Sequence, residues 1–298
     1  MSETASMETI RTIADLRSRI AEARARGLRI GLVPTMGFLH DGHLALIEES
    51  KRRCDLTVVS IFVNPTQFSP SEDFASYPRD FGRDEELCRA AGVAFVFSPD
   101  SREVYPDGFE TFVDAGSLGA ILCGAFRPTH FRGVATVVTK LFNIVRPDVA
   151  FFGQKDLQQC AVLRRVARDL DVPLEIAIVP TVREPDGLAM SSRNRYLDPG
   201  QRRRAGCLPR ALSAARDAYE RGERNSASLV KVVREGLTDV DQVQYVEVVE
   251  LENFGIVTGD IEAHGAICVA AYVGETRLID NILLGTGNPD SVLAARQD

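Results

Sequence analysis

The sequence predicts an α/β fold, a parallel sheet with helices, followed by a smaller α+β region. Three observations carry this expectation. Short apolar runs at 30–33, 56–63, 93–97, 149–152 and 174–179 alternate with segments of helical periodicity. Those runs are apolar nearly throughout, as strands covered on both faces are. After about residue 184 the alternation stops, and helical segments precede a cluster of strand-like runs.

In chain order, helices are expected near 10–24, 43–53, 80–91, 134–145 and 156–170, each between two of the apolar runs. The Arg183-Glu-Pro-Asp-Gly187 segment carries the Pro and Gly of a join. Domains are therefore expected at 1–183 and 184–298. In the second, residues 201–236 read as two helices ahead of strands at 243–249, 266–273 and 276–284. A chain of 298 residues can bury two separate cores.

Composition narrows the partners. The net charge of −7 argues against DNA or RNA, whose phosphates call for a basic surface. Arg202-Arg203-Arg204 is a local basic cluster that reads as a solvated helix face. The six cysteines form no Cys-x-x-Cys pair, which fits reduced thiols in the cytoplasm. The polar N-terminus lacks an apolar signal core, and no run is long enough to span a membrane.

The most informative segment is Ile30-Gly-Leu-Val-Pro-Thr-Met-Gly-Phe-Leu-His40-Asp-Gly-His43. It runs from a strand into a His-x-Gly-His turn ahead of an amphipathic helix. A helix N-terminus offers unpaired N–H groups and a positive dipole end, so this context suits a nucleotide phosphate. A histidine-capped turn is the structural alternative. Met190-Ser191-Ser192-Arg193-Asn194 adds two hydroxyls and a guanidinium suited to phosphate oxygens, or else a loop with a serine N-cap. Lys155 leaves the strand at 149–152 and can reach a phosphate. Asp156 beside it can cap the helix, bind a ribose, orient the lysine, or form a plain surface ion pair. Asn64 and Gln67 end the strand at 56–63 with amides suited to hydroxyls and a carboxylate. Gly124–Gly133, with Arg127 and His130, reads as a cationic loop, and Asp84 is a candidate Mg²⁺ carboxylate.

The full set is more specific than its parts. Pro34-Thr-Met-Gly, His40-x-Gly-His43, Phe62-Val-Asn-Pro-Thr-Gln-Phe68, Tyr77-Pro-Arg79, Arg127-Pro-x-His-Phe131, Phe152-Gly-x-Lys-Asp156, Val182–Asn194 and Thr276-Arg-Leu-Ile-Asp-Asn281 occur in this order. Together they resemble the pantoate–β-alanine ligase (pantothenate synthetase) family over nearly the whole chain. The resemblance implies ATP-dependent condensation of (R)-pantoate with β-alanine, giving pantothenate, AMP and pyrophosphate. It also implies a Rossmann-like N-terminal domain, a C-terminal lid, Mg²⁺ and a homodimer. By the same resemblance His40, His43, Lys155, Ser191, Ser192 and Arg193 contact the ATP phosphates. Gly42, Gly153, Asp156, Val182 and Met190 line the adenosine pocket with Met36. Pro34, Thr35, Met36, Asn64, Gln67 and Gln159 hold pantoate, with His130 near the closing loop. Three positions depart from the family pattern: Gln154 for glutamate, Leu157 for an aromatic and Cys123 for glutamate. A nucleotidylyltransferase with the same His-x-Gly-His turn and a non-catalytic ATP sensor are the rival readings. A synthetase acting on tRNA is disfavoured by the acidic balance.

Overall fold

A computed structural model describes residues 7–70 and 72–285. The polar start of the chain, at 1–6, lies outside the described residues. The chain divides into two compact units, one made of 7–153 and 162–179, the other of 154–161 and 180–285.

The first unit carries β1 (Glu8–Ile10), α1 (Ile13–Ala25), β2 (Ile30–Thr35), α2 (Asp41–Arg53), β3 (Leu56–Ile61), α3 (Phe81–Ala90) and β4 (Phe95–Phe97). Two single-turn helices, α4 (Ser101–Val104) and α5 (Cys123–Phe126), precede α6 (His130–Val145), β5 (Val149–Gly153), α7 (Leu157–Asp169), whose first five residues belong to the second unit, and β6 (Glu175–Val179). The strands form one six-stranded sheet in the order β1-β4-β3-β2-β5-β6, all parallel. Leu32 and Val33 are both fully buried, and successive strand residues point to opposite faces, so β2 is covered on both sides. Chain order runs outward from β2 to β3 and β4 on one side, and from β5 to β6 on the other. The carboxyl ends of β2 and β5 therefore meet where strand order reverses, the place where open α/β sheets bind ligands. Pro34 sits in this central strand because β5 pairs only as far as Leu32, so its missing N–H interrupts no bond on that side.

One strand and one helix start differ from expectation. Residue 10 closes β1 instead of opening a helix, and Glu8–Ile10 pairs with Phe95–Phe97. The Thr12 hydroxyl accepts from the Asp15 N–H at 3.1 Å, which caps α1 and sets its start at Ile13.

In the second unit, α8 (Pro199–Ala205), α9 (Cys207–Glu220) and α10 (Ser226–Gly236) precede β7 (Gln242–Glu250), β8 (His264–Val273) and β9 (Thr276–Gly285). Three helices stand where two were expected. Pro209 lacks an N–H and its ring crowds the carbonyl four residues earlier, so the helix breaks at Gly206. The three strands are antiparallel in the order β7-β8-β9. Leu208, Leu212, Leu229 and Val233 pack on Val246, Val248, Ile267 and Val269 to form this unit's core.

None of the six cysteines is in a disulfide, and all but Cys54 are buried. Burial pushes Cys88 up to about 12, aided by Asp84, and pushes Cys268 up to about 12, aided by Asp280. A thiol reagent at pH 8 is therefore expected to modify at most Cys54 in the folded protein, and every thiol after denaturation. Rapid reaction of several thiols in the native state would contradict this core.

Candidate active site

The turn from β2 into α2 is held by one buried carboxylate. Asp84, on α3, accepts from the Phe38 N–H through Oδ2 and from the Leu39 N–H through Oδ1, both at 2.7 Å. Phe38 has a φ of 51°, a left-handed conformation that persists only where the surroundings fix it. Gly37, at φ 82°, comes so near that a Cβ there would lie 3.0 Å from Asp84 Oδ2. The Arg83 guanidinium donates to the Leu39 carbonyl at 2.8 Å and so grips the same turn. Burial pushes the Asp84 carboxyl up, the Leu39 and Phe38 N–H groups draw it back, and it stays above its ordinary 3.8. Its side chain is 1% exposed. Each oxygen of Asp84 thus accepts from a backbone donor, and the carboxylate anchors the turn. Among the described residues no group of three or more His, Cys, Asp or Glu forms a metal cluster.

His40 and His43 follow on this anchored turn, His40 at the N-cap of α2 and His43 at its third position, with Gly42 between. Their rings lie 4.0 Å apart, centre to centre. The His40 main-chain N–H donates to His43 Nδ1 at 3.3 Å, so a neutral His43 ring carries its proton on Nε2. The Thr35 hydroxyl donates to the Ser60 carbonyl at 2.7 Å and accepts from the Gly37 N–H, fastening the end of β2 to β3.

The turn after β3 forms the second wall of this unit's site. Gln67 Nε2 donates to Met36 Sδ at 3.2 Å, and its Oε1 accepts from Asn64 Nδ2 at 3.0 Å. Asn64 itself is 1% exposed. Its amide also reaches the Gly133 carbonyl, and its Oδ1 accepts from the Thr66 and Tyr105 hydroxyls. Asn64 thus holds the Gln67 carboxamide through its own amide. Gly133 on α6 lets that helix approach the turn closely, since a Cβ there would stand 2.4 Å from the Thr66 carbonyl oxygen. His130 opens α6, with Nδ1 3.0 Å from the Gln67 carbonyl oxygen.

Arg127 forms an ion pair with Glu72 and also donates to the Gln67 carbonyl. Burial pushes Glu72 up, but the Arg127 hydrogen bond, the Ser69 N–H and the Arg127 charge outweigh it and hold Glu72 below its ordinary 4.5. A depressed native acid contributes stability that is fully present above pH 4.5 and is lost as pH falls through the lower native value. Glu72→Gln is expected to flatten the acid limb of the stability–pH curve in that window, read by thermal melts from pH 7 down to 3. An unchanged limb would contradict the pairing.

In the second unit, Lys155 donates to both oxygens of Asp156 at 3.2 and 3.1 Å, so Asp156 orients the ammonium. Gln159 is half-buried in the first turn of α7. Val182 and Met190 face each other across a short hairpin, with the Met190 N–H donating to the Val182 carbonyl. Gly187, at φ 87°, turns that hairpin. Ser191 is the N-cap of the single 3-10 turn Ser192–Tyr196, its Oγ accepting from the Arg193 N–H at 3.3 Å. Ser192 is buried within that turn.

Arg202 is half-buried and makes ion pairs at the surface. It binds Asp186 and Glu184 in the hairpin, and Glu184 in turn accepts from Asn194 at 2.6 Å. Asp280 and Asn281 close the last sequence motif, which by itself suggests no role for them; they sit on β9 and bind the segments that carry Lys155 and Arg183.

These features define a class: a nucleotide-handling α/β enzyme whose His-x-Gly-His turn lies at the strand-order reversal of a parallel sheet. The comparisons make it particular. The family model described as pantoate-beta-alanine ligase matches residues 8–283. The chain is 58% identical to pantothenate synthetase 1 of Bradyrhizobium diazoefficiens, over 93% of this chain and 98% of that one. It is 52% identical to the pantothenate synthetase of Pelotomaculum thermopropionicum, over 92% and 98%. The crystal structure of pantothenate synthetase from Thermus thermophilus is 46% identical and superposes with a TM-score of 0.88, covering 93% of this chain and 99% of that one. A pantoate-beta-alanine ligase from Francisella tularensis, solved with β-γ ATP and β-alanine, gives 0.77 at 32% identity, covering 95% and 99%. The chain belongs to the pantoate–β-alanine ligase family and is a ligase.

Proposed function

We propose that the chain condenses (R)-pantoate with β-alanine at the expense of ATP, through a pantoyl-adenylate intermediate. The observation that carries this reading is the anchored His40–His43 turn beside the Met36–Gln67 contact at one end of the sheet. It offers donors for phosphate next to an amide and thioether suited to a small hydroxy acid.

In the first step a pantoate carboxylate oxygen attacks the α-phosphorus of ATP, and pyrophosphate leaves. The carboxylate is already ionised at neutral pH, so no general base is required. The difficulty is bringing two anions together, and His40, His43, Lys155, Ser191, Ser192 and Arg193 ease it by donating to phosphate oxygens. Gly42, Gly153, Asp156, Val182 and Met190 hold the adenosine. Pro34, Thr35, Met36, Gln67, Gln159 and His130 position pantoate, with the Gln67 amide directed by Asn64. In the second step the neutral β-alanine amine attacks the acyl carbonyl, and the C–N bond forms as the C–O bond to AMP breaks. AMP departs with the carboxylate oxygen, and the amine's extra proton is released to solvent. Mg²⁺ would accompany ATP and would offset the charge of its phosphates. A homodimer in the cytoplasm completes the reading; the family supports the dimer, and six cysteines in no disulfide suit a reducing compartment.

The test is product analysis of the purified protein with Mg·ATP and pantoate, with and without β-alanine. The expected result is AMP released one-for-one with pantothenate and only when β-alanine is present. Turnover indifferent to any amine would favour a nucleotidylyltransferase, and binding of ATP without product would favour a sensor. Light scattering on the same sample is expected to give twice the chain mass; a monomer would overturn the dimer.

A further inference from the structure

The side chain of Asn281 is wholly occupied with the segment that carries Lys155. Its Nδ2 donates to the Gln154 carbonyl at 2.9 Å and to the Lys155 carbonyl at 3.0 Å. Its Oδ1 accepts from Gln154 Nε2 at 3.1 Å. Both carbonyls belong to the single 3-10 turn Gln154–Asp156, a stretch too short to fix its own geometry through repeating hydrogen bonds. Asn281 is 2% exposed, so its amide has no solvent to exchange these partners for. Neighbouring contacts hold Asn281 in turn. Its N–H donates to Asp280 Oδ1 at 2.8 Å, and Asp280 accepts both terminal nitrogens of Arg183, at 2.7 and 3.1 Å. Arg183 also donates to the Gly187 carbonyl in the hairpin that leads to Ser191.

Gln154 gains meaning from this arrangement. A glutamate at 154 would have no N–H to give Asn281 Oδ1, so the carboxamide closes the network on that side.

We propose that Asn281 is a positioning residue for the adenylation step, fixing the backbone from which Lys155 projects. The proposal rests on the reading that Lys155 donates to ATP phosphates. Asn281 touches neither nucleotide nor substrate in this account; it acts only through the turn. Misplacing a reacting group by about 1 Å can cost on the order of 10²-fold in rate.

The test is a double-mutant cycle read by pyrophosphate release in a single turnover with Mg·ATP and pantoate, before β-alanine is added. Asn281→Ala is expected to slow that step by about 10²-fold. Lys155→Ala is expected to slow it by about 10²–10³-fold. The double variant should be no slower than Lys155→Ala alone, since a positioning residue has nothing left to position. Reaction of pre-formed pantoyl adenylate with β-alanine should keep its parent rate in Asn281→Ala. Should the alanine variant not fold, Asn281→Asp keeps the shape, removes both N–H donors and is read the same way. Multiplying effects, or an unchanged rate in the Asn281 variant, would overturn the proposal. A parent-like rate in Lys155→Ala would overturn the reading beneath it, and the proposal with it.

Discussion

His43→Ala is expected to slow pantoyl-adenylate formation by about 10²–10³-fold, the loss that follows removal of one well-placed donor from a developing phosphoryl charge. The reason lies in the tautomer. His43 Nδ1 accepts from the His40 N–H, so the proton of the neutral ring is on Nε2. Alanine removes that donor and leaves the α2 backbone in place. The stability cost should stay near about 1 kcal/mol, the worth of one hydrogen bond. The experiment is rapid-quench measurement of pyrophosphate alongside a thermal melt. A parent-like burst rate would remove His43 from the phosphate-binding set.

Asp84→Ala is expected to lower stability by about 2–6 kcal/mol, because it strands the N–H donors of buried Leu39 and half-buried Phe38, each costing about 1–3 kcal/mol. Phe38 then loses the carboxylate that accepts from its N–H in the left-handed conformation, and the His40–His43 turn loses that anchor. The loss should appear in denaturant melts without nucleotide or magnesium. A metal-ligand role predicts the opposite pattern, an unchanged apo melt and an altered magnesium dependence. Asp84→Asn keeps one acceptor but turns an NH₂ towards a backbone donor, so it should fall between parent and alanine.

Legibility in the sequence followed the range over which each feature is determined. The parallel sheet was readable because its strands are apolar on both faces, a local pattern. Gly37 and the histidines were readable because the turn's chemistry lies within one short segment. β1 was not, since Glu8-Thr-Ile10 is three residues long and is a strand only through its pairing with Phe95–Phe97. Asp84 and Asn64 look like ligand residues because they are polar and near the motifs. Their hydrogen-bond partners, Phe38 and Leu39 for one and Gly133 and Tyr105 for the other, lie far along the chain. Asn281 is separated from Lys155 by 126 residues, so its motif was visible while its partner was not. The ion pairs of Arg202 escape a local reading for the same reason, since Glu184 and Asp186 lie 18 and 16 residues away.

The central claim is that pantoate is activated as an acyl adenylate, and oxygen-isotope transfer addresses it most directly. Pantoate labelled with ¹⁸O in its carboxylate is turned over with unlabelled Mg·ATP and β-alanine, and the AMP is analysed by mass spectrometry. Attack by the carboxylate on the α-phosphorus puts one ¹⁸O into each AMP and none into pyrophosphate. Unlabelled AMP, or ADP and phosphate as products, would contradict it.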